Sequence, residues 1–308
     1  MCRQAVALAL GVVLTSQGAL AEEVAAPSSE RGSPPMLRAF LGPSATWRQY
    51  CARPGVDTCA EFDAIPEEVR KGDAVDFTSL VPYMGLSAEV EVFPLVRQPS
   101  LLRGAGLLLG LQQGFPRPVV QVSSPSGDSR RIEVPSSDTA WEALATWRYF
   151  FNLGQGGTPP VWGHGGVAFG ARSRAFAVKD PEDSPLPQTH RFYPVVSVEA
   201  AVPLMRLVRL EGAGEVFLQP APGQALGGGD AVLGRELSDY GERVSSLGWA
   251  AELGVAGEVW GPLGYSVRFR LERYQDRFSG AGARSGWALG GVAVDTYSGL
   301  QAGVTAAW

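Results

Sequence analysis

The 308-residue chain has only 2 His, 3 Cys and a charged fraction of 19%, and each shortage removes a class of function. Two histidines, His164 and His190, leave little room for histidine-based catalysis or a His-rich metal site. Basic residues number 26 against 31 acids, so the net charge of -5 supplies no basic face for contact with nucleic-acid phosphates. Lys71 and Lys179 are the only lysines. Beyond residue 21 no apolar run approaches the roughly 20 residues that a transmembrane helix needs. What the chain has in quantity is glycine (39), proline (23) and 45% hydrophobic residues, arranged with a short period.

The N-terminus reads as a secretory signal. Arg3 precedes an apolar stretch from Ala5 to Leu14, and Ala19-Leu20-Ala21 offers a small-residue cleavage site before Glu22. Cys2 leaves with this segment. Residues 22–35 are small, polar and without apolar periodicity, as expected of a disordered periplasmic leader ahead of one folded unit over 36–308. Cys51 and Cys59 flank the turn-forming Pro54-Gly55, and export to an oxidising compartment favours a disulfide between them. A zinc site is the rival reading, but two thiols without a neighbouring His supply too few ligands.

The mature chain alternates with period two. In Leu86 to Val92 the apolar residues occupy one face, and Ser87, Glu89 and Glu91 the other. The same pattern sets Trp141, Ala143, Ala145, Trp147 and Tyr149 against Glu142, Thr146 and Arg148. It also sets Tyr265, Val267, Phe269 and Leu271 against Arg268, Arg270 and Glu272. The expected fold is therefore all-β, with about ten strands and 8 to 12 as the bounds. Short connections at 98–103, 205–207 and 261–264 alternate with long polar ones at 51–80, 123–138, 179–191 and 220–245. The single helix signal, Asp63 to Gly72, falls in the first long loop. From Ala288 to Trp308 one parity persists across Asp295 to Gly299, which favours one long final strand and an even count.

A soluble sandwich would also alternate. Here, however, the apolar face is almost free of charge, as lipid demands, since Arg or Lys at the bilayer midplane costs about 2 to 4 kcal/mol. Backbone groups in hydrocarbon then require a closed sheet. Trp47, Trp141, Trp147, Tyr149, Phe192 and Tyr265 are candidates for aromatic girdles at the two interfaces. The final alternation Leu300, Ala302, Val304, Ala306, Trp308 resembles the terminal-strand assembly signal of bacterial outer-membrane barrels, which assigns that role to Trp308. With the signal peptide and the alternation, the chain resembles the broad class of small outer-membrane β-barrels, porin-like and OmpW-like, of Gram-negative envelopes. The resemblance implies an outer-membrane location, with membrane lipids, the barrel assembly machinery and other envelope proteins as partners.

The polar face defines a candidate lumen. Its acids are Glu89, Glu91, Glu142, Glu199, Glu211, Glu215, Glu252, Glu258 and Glu272; its bases are Arg38, Arg48, Arg148, Arg172, Arg174, Arg209, Arg268 and Arg270. Balanced charges cross-link opposite walls, whereas an ion-selective pore carries rings of one sign. The expectation is a largely closed barrel without enzymatic activity or cofactor, serving as a structural or surface-interaction protein or as the barrel subunit of an envelope-spanning assembly. A small-solute channel is one alternative, and an outer-membrane lipid-modifying or proteolytic enzyme is another. Against the enzyme, neither His164 nor His190 has the required Asp or Ser at the sequence spacing of such sites. Glu67-Glu68 and Asp180, Glu182 and Asp183 lack the spacing of a dedicated calcium loop, and Gly227 to Gly229 reads as a loop tip.

Overall fold

The computed structural model describes residues 33–117, 119–123, 129–133, 135–153, 162–178, 188–220 and 239–308. The signal segment, most of the leader, the acids of 180–183 and Gly227 to Gly229 lie outside the described residues. The described residues form thirteen strands: β1 (Leu37–Pro54), β2 (Val75–Thr78), β3 (Tyr83–Val92), β4 (Ala105–Gly114), β5 (Val119–Ser123), β6 (Ser129–Glu133), β7 (Ser136–Asn152), β8 (Trp162–Val178), β9 (Thr189–Met205), β10 (Val208–Phe217), β11 (Arg243–Trp260), β12 (Leu263–Ser279) and β13 (Gly291–Ala307). Ten of them, all but β2, β5 and β6, form an antiparallel meander that closes on itself where β13 pairs with β1 from Arg38↔Ala307 to Pro54↔Gly291. The final strand runs unbroken through Asp295 to Gly299, as its parity implied.

Closure leaves no edge, which satisfies the backbone without water. Strand β2 continues the line of β3 along β1, pairing Gln49↔Thr78 to Ala52↔Val75. Strands β5 and β6 form a separate hairpin in the β4–β7 connection, so part of the long loop expected at 123–138 is regular structure. The helix is displaced from its expected place. α1 spans Cys59–Asp63 with the Thr58 hydroxyl capping Glu61, and Glu67–Val69 is only a 3-10 turn. Thr58 is the better N-cap because its side chain reaches the backbone N–H three residues on, while Pro66 starts a new turn. Cys51 belongs to β1 and not to the loop. The β3–β4 connection is longer than expected, since it also contains the 3-10 turn Leu101–Gly104.

The outward face of the wall is apolar and exposed. Leu41, Leu86, Val90, Leu109, Phe169, Val198, Leu253, Phe269 and Val304 all present their side chains to the surroundings. Such a continuous band is untenable in water and normal against lipid. Its aromatic borders are polar-tipped at the end where Leu37 and Trp308 lie: the Tyr265 hydroxyl donates to Leu207 O at 2.7 Å and Trp147 Nε1 to Leu101 O at 2.8 Å. Trp47, Trp141 and Phe192 stand toward the other end, where Trp141 and Phe192 pack at 5.9 Å. Beyond that border the outward positions become polar, with Gln49, Gln113, Ser245, Arg273, Gln275 and Arg277. The strands therefore extend past the membrane on the long-loop side.

Candidate functional site: the barrel lumen

Side chains of the inward parity divide the lumen into a vestibule and a seal. The vestibule occupies the half nearest Leu37 and Trp308 and holds a polar cavity of about 180 Å³. Arg148 lies at its centre, donating to Glu91 at 2.8 Å and to Glu199 at 2.8 Å, while Arg38 stands 3.9 Å from the same Glu91. Arg172 on β8 joins Glu142 of the adjacent strand to Glu215 of β10. Arg268 reaches from β12 to Glu89 of β3 at 2.9 Å, with Glu252 at 3.6 Å. Arg270 holds Glu215 at 2.7 Å and lies 3.6 Å from Glu252, and Arg209 pairs with Glu211 on its own strand at 2.6 Å.

Several polar atoms on the cavity wall, Thr146 Oγ1, Trp162 Nε1, Ser266 Oγ and Arg268 Nε, are buried without a protein partner. Unpaired donors of this kind are costly unless water or a small solute meets them. The charged and polar side chains that line the cavity suit water as its filling.

Above it the lumen closes in two steps. A cluster of Tyr193, Phe217, Tyr274 and Tyr297 with Leu108, Leu144 and Val195 fills the section. In it Tyr193 donates to Tyr274, whose own hydroxyl donates to Glu272. Next comes a layer of arginine pairs. Arg174 forks onto Asp138 at 2.5 and 3.1 Å, reaches Glu272 at 3.4 Å across the barrel, and stacks 3.6 Å over the Tyr297 ring. Tyr83 donates to the same Asp138 at 2.6 Å. Arg191 forks onto Asp276 at 2.5 and 3.0 Å, and Arg48 forks onto Asp295 at 2.8 and 2.9 Å. Both side chains of the last pair have 0% exposure, and the Arg48 guanidinium also lies 4.1 Å from the Phe176 ring and bonds Thr189 of β9. Fork geometry of this kind satisfies both carboxylate oxygens, which is the condition for burying an ion pair.

The long-loop end is capped by a small core of its own. Trp287 and Tyr240 pack at 4.5 Å and rest on Tyr50, Phe278 and Ala293, with Val75 and Phe77 of the first loop against them. Trp287 Nε1 donates to Asp73 O at 2.9 Å, and Asp73 N to Ser285 O at 2.8 Å, so the first and last outer loops are stitched together. At the crossing Gly72 and Gly286 lie back to back with φ of +100° and +83°. A Cβ on either would stand 2.7 Å or less from the other's Cα, so only glycine fits. A Cys51–Cys59 disulfide and the Arg53 forks to Asp63 and Asp76 pin the start of the first loop. Burial alone would lower the Arg53 pKa, but its hydrogen bonds to Asp76 and Asp63 outweigh this and raise it.

Of the seventeen lumen charges read from the sequence, sixteen (Glu89, Glu91, Glu142, Glu199, Glu211, Glu215, Glu252, Glu272, Arg38, Arg48, Arg148, Arg172, Arg174, Arg209, Arg268, Arg270) face inward and take part in these pairs, whereas Glu258 is exposed at the rim, 3.6 Å from Arg206. Sequence reasoning missed the carboxylates Asp138, Asp276 and Asp295, the base Arg191, and the tyrosines of the seal. Asp138 and Arg191 stood at the ends of segments read as loops and Asp276 beyond the end of a read strand, while Asp295, Tyr193 and Tyr297 lay within read strands without being taken as lumen residues. Trp308 ends the chain, its N–H on Leu37 O at 2.9 Å and its carbonyl accepting from Leu37 N at 3.1 Å. His164 points into the vestibule against Phe150, whereas His190 is on the outward face of β9. Among the described residues no group of three or more metal-ligating side chains comes together.

No known family model matches the sequence, and no curated protein matches it. Solved structures similar in shape include the outer membrane protease OmpT from Escherichia coli, at 9% identity and a TM-score of 0.40, covering 88% of this chain and 96% of that one. A mutant of the monoaromatic hydrocarbon channel TodX follows at 8% identity and a TM-score of 0.27, covering 92% and 93%. A FadL homologue from Pseudomonas aeruginosa covers 89% and 90% at 8% identity and a TM-score of 0.23. What fixes the architecture is the strand pairing itself and the lipid-type belt around it: the chain folds as a closed, ten-stranded β-barrel of the bacterial outer-membrane type.

Proposed function

We propose that the protein is a non-enzymatic outer-membrane barrel whose lumen is sealed on the outer side. It presents a rigid loop cap outside and a hydrated vestibule to the periplasm. Its role is structural or in surface interaction, or that of the barrel subunit in an envelope-spanning assembly. The observation that carries this reading is the fully buried Arg48–Asp295 fork, packed among Phe176, Tyr297, Tyr50 and Phe77, directly beneath the Trp287 cap. An open channel does not place an unhydrated ion pair across its path. The balance of charge in the vestibule also differs from the single-sign rings of an ion-selective pore. A non-enzymatic role is supported by the placement of the two histidines on opposite faces of the wall, neither hydrogen-bonded to an acid or a hydroxyl among the described residues.

Planar-bilayer conductance of the refolded full-length protein tests this. We expect no steady openings. Stable single-channel steps from the unmodified protein would overturn the sealed reading and favour the small-solute channel, for which the existing vestibule would be the inner half of the path. Hydrolysis of phospholipid or peptide substrates by the purified barrel would overturn the non-enzymatic part.

A further inference from the structure

Outside the lumen, one sector of the wall has charges that the barrel itself does not neutralise. Along β12 the outward positions run Leu263, Tyr265, Val267, Phe269 and Leu271 through the belt, then change to Arg273, Gln275 and Arg277. Along β11 the outward Leu247 gives way to Ser245 and Arg243 at the same level. All three arginines are exposed. The register pairs Ser245↔Arg277 and Arg243↔Ser279, which sets Arg243 diagonal to Arg277, so their Cβ atoms are about 5 to 8 Å apart. Arg273 lies four residues along, about 13 Å away, opposite Trp249.

None of these three forms an ion pair or hydrogen bond among the described residues. The lumen arginines behave differently, each meeting a carboxylate, and so does Arg53, outward on β1 near the same level and forked onto Asp63 and Asp76. Neighbouring groups on the same face add donors: Thr296 stands opposite Arg273 on β13, and Gln275 lies between Arg273 and Arg277. The patch is thus rich in donors and cationic charge, and its described residues offer no carboxylate.

We propose that this face of β11 and β12 binds the phosphate groups of anionic lipid in the outer leaflet. Position selects lipid over a soluble anion or an acidic peptide. Arg273 stands above Leu271 and level with the exposed Trp249, and Arg277 and Arg243 stand above Leu247, so one ligand meets the cations with its headgroup and the belt with its acyl chains. Guanidinium groups suit phosphate because they fork onto two oxygens and stay charged at every relevant pH. Like charges held side by side repel, and a bound phosphate removes that repulsion. The proposal rests on the outer-membrane reading above, with the long loops outside.

The test uses the full-length barrel refolded in phosphatidylcholine nanodiscs, with or without diphosphoryl lipid A. We expect lipid A to raise the temperature of the heat-modifiable gel shift and to be retained through purification. The variant Arg243→Gln, Arg273→Gln, Arg277→Gln loses most of both effects, while the charge-retaining triple Lys variant keeps a substantial part. Removing two exposed cations elsewhere, Lys71→Gln with Arg97→Gln, leaves both effects intact. Equal lipid A retention by the triple Gln variant would overturn the proposal. So would stabilisation by inorganic phosphate at matched phosphate concentration, which would identify a soluble-anion site, or by an acidic peptide, which would identify a protein-facing one. A barrel that shows no heat-dependent gel shift in any lipid would instead refute the outer-membrane reading beneath it.

Discussion

The seal and the vestibule are built from the same chemical unit, an arginine on a carboxylate, yet they stand in opposite solvents. In the seal, Arg48 and Asp295 are both at 0% exposure; in the vestibule, Arg209 and Glu211 keep 18% and 21%. The seal surrounds its pairs with tyrosine and phenylalanine rings, while the vestibule pairs border a cavity of about 180 Å³, with Arg148 and Arg268 each also lying over one ring, Phe93 and Phe40. Dielectric, not pairing, therefore decides what each pair does. In the dry layer a missing partner leaves a stranded charge; in the wet layer water takes its place. One parity rule places both sets of residues, but only the dry set can close the path.

The sharpest way to break this contrast is to remove one member of the dry pair. Asp295→Ala leaves the Arg48 guanidinium buried without its carboxylate and should cost about 3 to 5 kcal/mol, the penalty of an uncompensated interior charge. A urea-unfolding midpoint in lipid vesicles measures it. The double change Arg48→Met, Asp295→Leu should recover most of the loss, since a well-packed apolar replacement removes the stranded charge. If the single change were harmless, water would be reaching Arg48 and the seal would not be dry.

A second test asks whether the wall enclosing both regions faces lipid. Val90 is outward on β3, pairing with Ala39 and Leu109, and the adjacent Glu89 points inward to Arg268. Val90→Arg puts a charge against hydrocarbon at about 2 to 4 kcal/mol and should block insertion; Glu89→Gln should insert normally. Gel-shift assays on membrane fractions separate the two, and equal tolerance would mean that the faces are misassigned.

The contrast also explains how much of the molecule was legible in its sequence. Within the bilayer the outward residues are apolar and the inward ones polar, so period two stands out in Leu86 to Val92 and Tyr265 to Glu272. The vestibule and lower-seal charges, and Arg48 above them, could be read from it. Past the membrane border the outward residues become Arg273, Gln275 and Arg277, and the inward ones become Tyr274, Asp276 and Phe278. The polarity contrast then vanishes or reverses, although the strand continues. That is why the seal's Asp138, Arg191 and Asp276 were lost to segments taken as loops, or placed beyond a strand's end. The closing contacts of the cap were illegible for another reason. Trp287 on Asp73 and Gly72 on Gly286 join residues more than 200 positions apart, and no local pattern encodes such a crossing.

The disulfide probes the outer margin of the seal with a smaller effect. Cys51 and Cys59 are 8 residues apart, so the ring is short and its chain-entropy contribution is about 2 to 3 kcal/mol at most. Arg53 holds the same segment independently through Asp63 and Asp76. The double variant Cys51→Ser, Cys59→Ser should still insert and remain heat-modifiable, while residues 55–74 become open to protease added from outside. Free thiols titrated in the oxidised native protein would remove the disulfide from the account, and cleavage only from the periplasmic side would invert the topology.

The smallest effect is expected in the vestibule, and it bears most directly on the difference between wet and dry. Arg209→Gln removes a pair that lies within one strand, is partly exposed and borders the cavity, so its cost should stay within about 0 to 1 kcal/mol. Glu211 left behind is not stranded, because the cavity can hydrate it. Salt should separate the two regions further: the Arg209–Glu211 contribution is screened as ionic strength rises, whereas the Arg48–Asp295 contribution is buried beyond the reach of mobile ions and should change little. Unfolding midpoints of the wild type, Arg209→Gln and Asp295→Ala at low and high salt give both comparisons in one series. Should Arg209→Gln cost as much as Asp295→Ala, and do so independently of salt, the inner half of the lumen would be as dry as the outer half. The barrel would then be a solid plug from end to end, without a vestibule.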